Sequence, residues 1–215
     1  MKSIKKIEYP NLPKNLAAIA ELKLKNGSEY EDLKIADFNF GGKNLSDLKF
    51  YNCHFKNVNF SQSKITEIKF HNVIFEDCDL SNLKLAKALI EKAEFVKCRM
   101  TGFTATEDNF RDVLFKNCQL KLTLFRFAKF KNITFDHCIL EEADFYNADL
   151  ANVNFIESDL TKAEMSATKL SEVDFRTSKI AGLSINVESL KGGIIDPTQI
   201  NDLAWLLGIK IEWKE

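Results

Sequence analysis

Every fifth residue is apolar, without a skip, from Ile35 to Ile185. The phase runs through Phe55, Phe75, Phe95, Phe115, Phe135, Phe155 and Phe175 and has 31 members. Only 45% of all residues are hydrophobic, so chance does not produce it. A period of five matches neither the 3.6-residue turn of an amphipathic helix nor the two-residue alternation of a strand. It is the mark of a repeat architecture.

A second phase lies two residues before the first and favours small side chains: Cys53, Val58, Ser63, Val73, Cys78, Ala88, Ala93 and onward to Ser178. The residue between the two phases is often Asp or Asn, as in ADF at 143–145, ADL at 148–150 and VNF at 153–155. The unit is therefore small, polar, large, X, X.

This unit resembles the pentapeptide-repeat family, whose motif is A(D/N)LXX. The resemblance implies an all-β fold, a right-handed quadrilateral β-helix, in which four pentapeptides make one coil and the small and large phases both point inward. Residue identities at a spacing of 20 agree with it. One column is Phe from Phe55 to Phe175, and another is Phe50, Phe70, Ile90, Phe110, Phe130, Leu150 and Leu170. About seven and a half coils give a rod roughly 36 Å long at strand spacing, with ends that need caps. The expected divisions are an N-terminal cap over 1–30, the solenoid over 31–190 and a C-terminal module over 191–215. Residues 11–24 are expected to form a short helix or an irregular lid.

The C-terminal stretch carries helix signals. Asp196 suits the N-cap, Pro197 the first turn, Gln199 the capping-box position and Gly208 the helix end. Ile209 to Trp213 reads as a short strand. LKGGIIDPTQINDLAWLLGIKI resembles the C-terminal module of the Qnr-type quinolone-resistance group. YPNLP near the start and FRFAKF at 125–130 resemble its chromosomal Gram-positive members. That resemblance implies a homodimer through Ile200, Leu203, Trp205, Leu206, Leu207, Ile209 and Trp213, and binding to DNA gyrase and topoisomerase IV by imitation of duplex DNA. Some members carry loops that break the repeat register. The unbroken register here excludes them.

The remaining chemistry is sparse. The net charge of −1 does not argue for nucleic acid or a membrane surface. No apolar run reaches the 18 residues of a membrane span. The first residues lack a signal-peptide core, so a cytoplasmic protein with five reduced cysteines is expected. Cys78, Cys98, Cys118 and Cys138 fall in one column, which cannot converge on a tetrahedral zinc and reads as small buried packing. His54, His71 and His137 are scattered. No catalytic, cofactor or metal constellation follows, and an enzyme is not expected. The weakest repeat is 101–110, where Phe103 takes a small slot, Ala105 a large one and Asp108 an inward one. A local distortion of the coil is the leading expectation there, beside a simple exchange of volumes and a partner-contact site.

Charge is unevenly spread. Residues 1–135 carry 23 basic and 16 acidic side chains, whereas residues 136–180 carry 4 and 10. The ten acids are Asp136, Glu141, Glu142, Asp144, Asp149, Glu157, Asp159, Glu164, Glu172 and Asp174, all on outward phases. The net of −6 over residues 136–180, about 11 Å of rod, matches the linear charge density of duplex DNA, one charge per about 1.7 Å. An outward surplus of charge also serves solubility alone. These ten are the predicted topoisomerase-binding surface, and a scaffold with an unrelated partner is the alternative.

Overall fold

The computed structural model describes residues 7–208. Its strands are parallel, and each pairs with the strand one coil away. Asn109–Lys116 lies between Leu89–Val96 and Lys129–Asp136, and the last of these pairs with Asp149–Ile156. Every partner in these ladders is offset by 20 residues, as Phe95↔Phe115 and Phe135↔Phe155 show. Between Leu89 and Ile156 two sides of each coil form such strands. The other two are joined by single bridges, Asp79↔Arg99↔Gln119↔Ile139↔Asp159↔Lys179 on one and Lys84↔Thr104↔Leu124↔Asp144↔Glu164↔Ser184 on the other. The result is the four-sided β-solenoid expected from the repeat.

Both inward phases are inside. Thirty of the 31 large-phase residues are buried, and Leu45 in the first coils is half-buried. The small phase is buried without a skip from Leu48 to Leu183. The Phe column stacks nearly face to face: Phe55–Phe75 at 4.5 Å, Phe75–Phe95 at 4.7 Å, Phe95–Phe115 and Phe115–Phe135 at 4.9 Å. Interplanar angles there are at most 10°. One backbone rise thus equals one ring spacing, and the rings stack without tilting away from the ladder.

The corners have a conformational rule of their own. From Asp32 to Glu172 every fifth residue has positive φ, between 45° and 70°, with Gly42 and Gly102 taking two of these places at 69° and 70°. Several corners close with a hydrogen bond from the following small residue back to the large one, as in Phe103 N to Met100 O and Ala128 N to Phe125 O. That is the pattern of a type II turn, which needs a left-handed third residue and favours Gly and Asn there.

The expected distortion at 101–110 is absent. The bridges Lys84↔Thr104 and Thr104↔Leu124 carry the register straight through. Phe103 and Ala105 exchange volumes, and the Phe103 ring meets Phe125 at 6.0 Å. Asp108 is fully buried. Its Oδ1 accepts a hydrogen bond from Ala88 N at 2.7 Å, while Oδ2 has no partner. Burial pushes this carboxyl up to about 6.

The cysteine column is built as small-residue packing. The thiols of Cys78, Cys98, Cys118 and Cys138 donate to the carbonyls of Phe55, Phe75, Phe95 and Phe115. One and two coils further on, Ser158 and Ser178 donate to Phe135 and Phe155 in the same way. All five cysteines are free and buried. Burial pushes the Cys53 thiol up to about 11. Among the described residues no group of three or more His, Cys, Asp or Glu converges as a metal site.

At the N-terminal end no helix forms over residues 11–24, which are irregular apart from Ala17–Ala18 pairing with Leu33 and Lys34. The preceding segment runs along a corner of the rod. Asn11 exchanges two hydrogen bonds with Asn72, Glu8 pairs with Lys92 at 2.7 Å, and Ile7 is buried. The corner beneath it carries side-chain ladders, Asp32–Asn52–Asn72 and Asp112–Asn132–Asn152. At the other end Asp196 and Gln199 form the predicted capping box ahead of Pro197–Gln199. Gln199 also donates to Phe175 O and Ser178 O, which terminates the coil stack. Short helical turns follow over Ile200–Leu203 and Ala204–Leu207, and Gly208 closes them at φ 67°. The predicted strand Ile209–Trp213 lies outside the described residues.

Asp108 supplies a test of the filled interior. A carboxyl raised in the folded state favours folding below its unfolded value, near 4, and loses that contribution as pH rises through about 6. Asp108→Asn therefore gains on the wild type by about 2–3 kcal/mol between pH 4 and pH 7.5. Urea unfolding at a series of pH values checks this, and a pH-independent difference contradicts it.

Candidate functional site

The coil geometry decides where the acidic residues face. Asp136 and Asp174 lie on the side whose interior column is Phe55–Phe175. Asp159 and Glu141 lie on the next side, in the ladder of Ile139 or beside it, with Glu157 at the corner between these two sides. Glu142 occupies the following corner, and Asp144 and Glu164 stack on the third side as bridge partners. Asp149 opens the fourth side, and Glu172 takes the corner that returns to the first. The ten acids therefore surround the rod. Five of them lie on or next to the third side: Asp144 and Glu164 on it, Glu142 at its first corner, and Glu141 and Asp149 just beyond its two corners.

Neighbouring coils contribute cations to this belt. Lys116 pairs with Asp136 at 3.3 Å, Lys121 with Glu141, Arg126 with Asp144 at 3.4 Å and Lys179 with Asp159 at 3.3 Å. Arg176 clamps Asp174, its neighbour two residues away, at 2.6 Å. His137 bridges Asp136 at 2.5 Å and Glu157 at 3.0 Å. Glu164 accepts hydrogen bonds from Ser166 N and Ser184 Oγ. Glu142 and Asp149 have no ion pair within 4.0 Å among the described residues.

These contacts set the charge states. Burial works to raise the carboxyl of Asp136, but His137 and Lys116 outweigh it and hold it below the usual range. Burial of Glu164 is likewise outweighed by the hydrogen bonds from Ser166 and Ser184. The guanidinium of Arg176 holds Asp174 low. Asp136, Glu164 and Asp174 are thus ionised throughout the neutral range. Exposed pairs of this kind contribute little to stability, and they leave the net charge of each coil unchanged.

Cross-coil pairing is what sequence reasoning missed. Its signal was present as opposite charges 20 residues apart: Lys56 and Glu76, Glu67 and Lys87, Glu91 and Arg111, Lys121 and Glu141. A charge count over contiguous residues does not register it, because the first basic partners of the belt lie in the coil before it.

At the C-terminal end the predicted interface residues separate. Leu203 is buried against the last coil, and Leu206 is partly buried beside it. Ile200 and Trp205 are about half exposed, at 53% and 50%. Val187 and Ile194 add further exposed apolar surface at this end. The side chain of Leu207, with Ile209 and Trp213, lies outside the described residues. A hollow of about 390 Å³ is lined by His137, Glu157, Asp159 and Lys179 among others. No helix among the described residues is long and apolar enough to cross a membrane.

Residues 68–136 and 128–205 match the family model described as pentapeptide repeat region. Among solved structures, a trypsin-treated variant of QnrB1, a plasmid-mediated fluoroquinolone resistance protein, superposes with a TM-score of 0.57. It is 13% identical and covers 86% of this chain and 100% of its own. HetL, a pentapeptide-repeat protein involved in heterocyst differentiation regulation in the cyanobacterium Nostoc, is 17% identical and covers 79% of this chain and 87% of its own, with a TM-score of 0.34. No curated protein matches the chain.

The belt has one group that titrates near neutrality. The hydrogen bond to Asp136, aided by the charge of Glu157, raises the His137 imidazole above its ordinary value of 6.5. Acidification therefore adds a positive charge inside the belt earlier than a free histidine would. NMR titration of the imidazole is expected to give a raised midpoint that falls in Asp136→Asn. The same midpoint in both proteins contradicts the assignment.

Proposed function

The chain belongs to the pentapeptide-repeat family, and we propose that it is a non-enzymatic DNA mimic. Its partners in this reading are the type II topoisomerases, DNA gyrase and topoisomerase IV, which it protects from quinolones. The observation that carries the reading is the placement of Asp144 and Glu164 on the third side of the rod, with Glu142 at its first corner and Glu141 and Asp149 just beyond its two corners. A filled interior holds those carboxylates at strand spacing, so binding requires no reordering of the backbone. The fold shared with a fluoroquinolone resistance protein supports the same reading.

The C-terminal end gives the rod a way to double. In the proposed homodimer Ile200, Trp205 and Leu206 meet their counterparts, and residues 191–215 act as the dimerisation module. The acidic coils then lie nearest the dyad and the basic coils point away. Long-range complementarity of this kind raises the association rate and weakens with salt. The cytoplasm, where topoisomerases work, is the proposed location. No cofactor, metal, nucleic acid or membrane takes part.

A second reading is a scaffold with an unrelated partner. It is favoured by the cations that already occupy the belt, Lys121 on Glu141 and Arg126 on Asp144. A direct binding measurement separates the two. Neutralising the five acids as Gln and Asn is expected to weaken gyrase binding tenfold or more at low salt, with the circular dichroism spectrum unchanged. No gyrase binding by the unsubstituted protein favours the scaffold, and equal binding by both proteins contradicts the role of the five acids. Sedimentation at micromolar concentration is expected to give a dimer that Trp205→Glu converts to monomer. A wild-type monomer contradicts the proposed interface.

A further inference from the structure

The sides of the rod expose few large apolar residues, and three of them fall within six positions. Leu122, Leu124 and Phe127 are exposed at 52%, 40% and 40%. Leu122 and Phe127 are corner residues with φ of 57° and 59°, and Leu124 lies on the side between them, bridged to Thr104 and Asp144. One coil thus presents an apolar bar across the whole width of the third side. Ile139 and Ile156 are also exposed but lie on other sides.

The corner positions make the bar informative. About half of the left-handed corners from Asp32 to Glu172 are Asn, Asp or Gly, and most of the rest are charged. Bulky apolar residues are poorly suited to this conformation and gain nothing from the core, since they point to solvent. Placing Leu and Phe there is accounted for by neither turn chemistry nor packing. The bar also has fixed walls. The Tyr146 ring meets Phe127 edge-on at 5.7 Å, and the Arg126 guanidinium lies 5.0 Å from the Tyr146 centroid.

Charge around the bar selects the occupant. Glu107 lies one coil below Phe127, and Glu142 lies one coil above Leu122. Asp144 and Glu164 follow Leu124 up the ladder. The cations beside the bar, Lys121 and Arg126, are already paired with Glu141 and Asp144. We propose that Leu122, Leu124 and Phe127 form a docking surface for a protein segment that inserts an apolar side chain and flanks it with Lys or Arg. The surface does not depend on the partner's being a topoisomerase.

Synthetic peptides test it. One carries a Leu-Phe pair flanked by Lys and Arg, a second has Glu flanks, and a third replaces the pair with Gly-Ser. The expected result is binding of the first alone, with amide NMR shifts centred on residues 122–127 and 146. Leu122→Asn and Phe127→Asn are expected to weaken it at least tenfold. Asn is the residue already used at corners 117, 132 and 147, so these variants retain the turn; thermal melts verify that. No binding by the first peptide, equal binding by the Glu-flanked or Gly-Ser peptide, or shifts centred elsewhere overturns the proposal. So does concentration-dependent self-association that both variants abolish, since the occupant is then a second copy of the chain.

Discussion

The structure depends on one coincidence of lengths. A parallel ladder rises about 4.8 Å per strand, and flat aromatic rings stack at nearly the same distance. The Phe column from Phe55 to Phe135 sits at 4.5–4.9 Å with its rings almost parallel. A slip of one residue breaks this match and turns every inward side chain outward. Backbone hydrogen bonding and side-chain stacking therefore select the same 20-residue register. The bonds from each Cys or Ser of the neighbouring column to a carbonyl of the coil before it add to that selection.

Fixed register turns the outward residues into a lattice. Residues 20 apart sit one above another on one side, and residues five apart sit on successive sides. Complementary charges across coils, such as Lys121 and Glu141, follow from the first relation. The acidic group on and beside the third side follows from both. On such a rod, whose described interior is filled by side chains, charge and apolar surface are set by which residues occupy the outward lattice points.

The fold was legible because the interior uses two of every five positions for packing and nothing else. Phe115 and Cys118 announce their places through period and size. Asp108 did not behave as its type suggested. An expected distortion was replaced by one hydrogen bond from Ala88, and the coil kept its path. The left-handed corners were less visible, because Lys92, Leu122 and Phe127 stand at some of them where Asn and Gly are the favoured residues. The N-terminal strap was not legible at all. Asn11 reaches Asn72 across 61 residues, and that contact belongs to no repeat. The acidic residues were readable as a block, whereas their distribution around four sides needed the coil geometry.

The central functional claim is that this rod takes the place of DNA on a type II topoisomerase. A gyrase supercoiling assay with ciprofloxacin, over a range of concentrations of the full chain, addresses it most directly. The account predicts that supercoiling inhibited by the drug recovers as the protein is added, and that higher salt diminishes the recovery. Inhibition that persists unchanged at every protein concentration contradicts it.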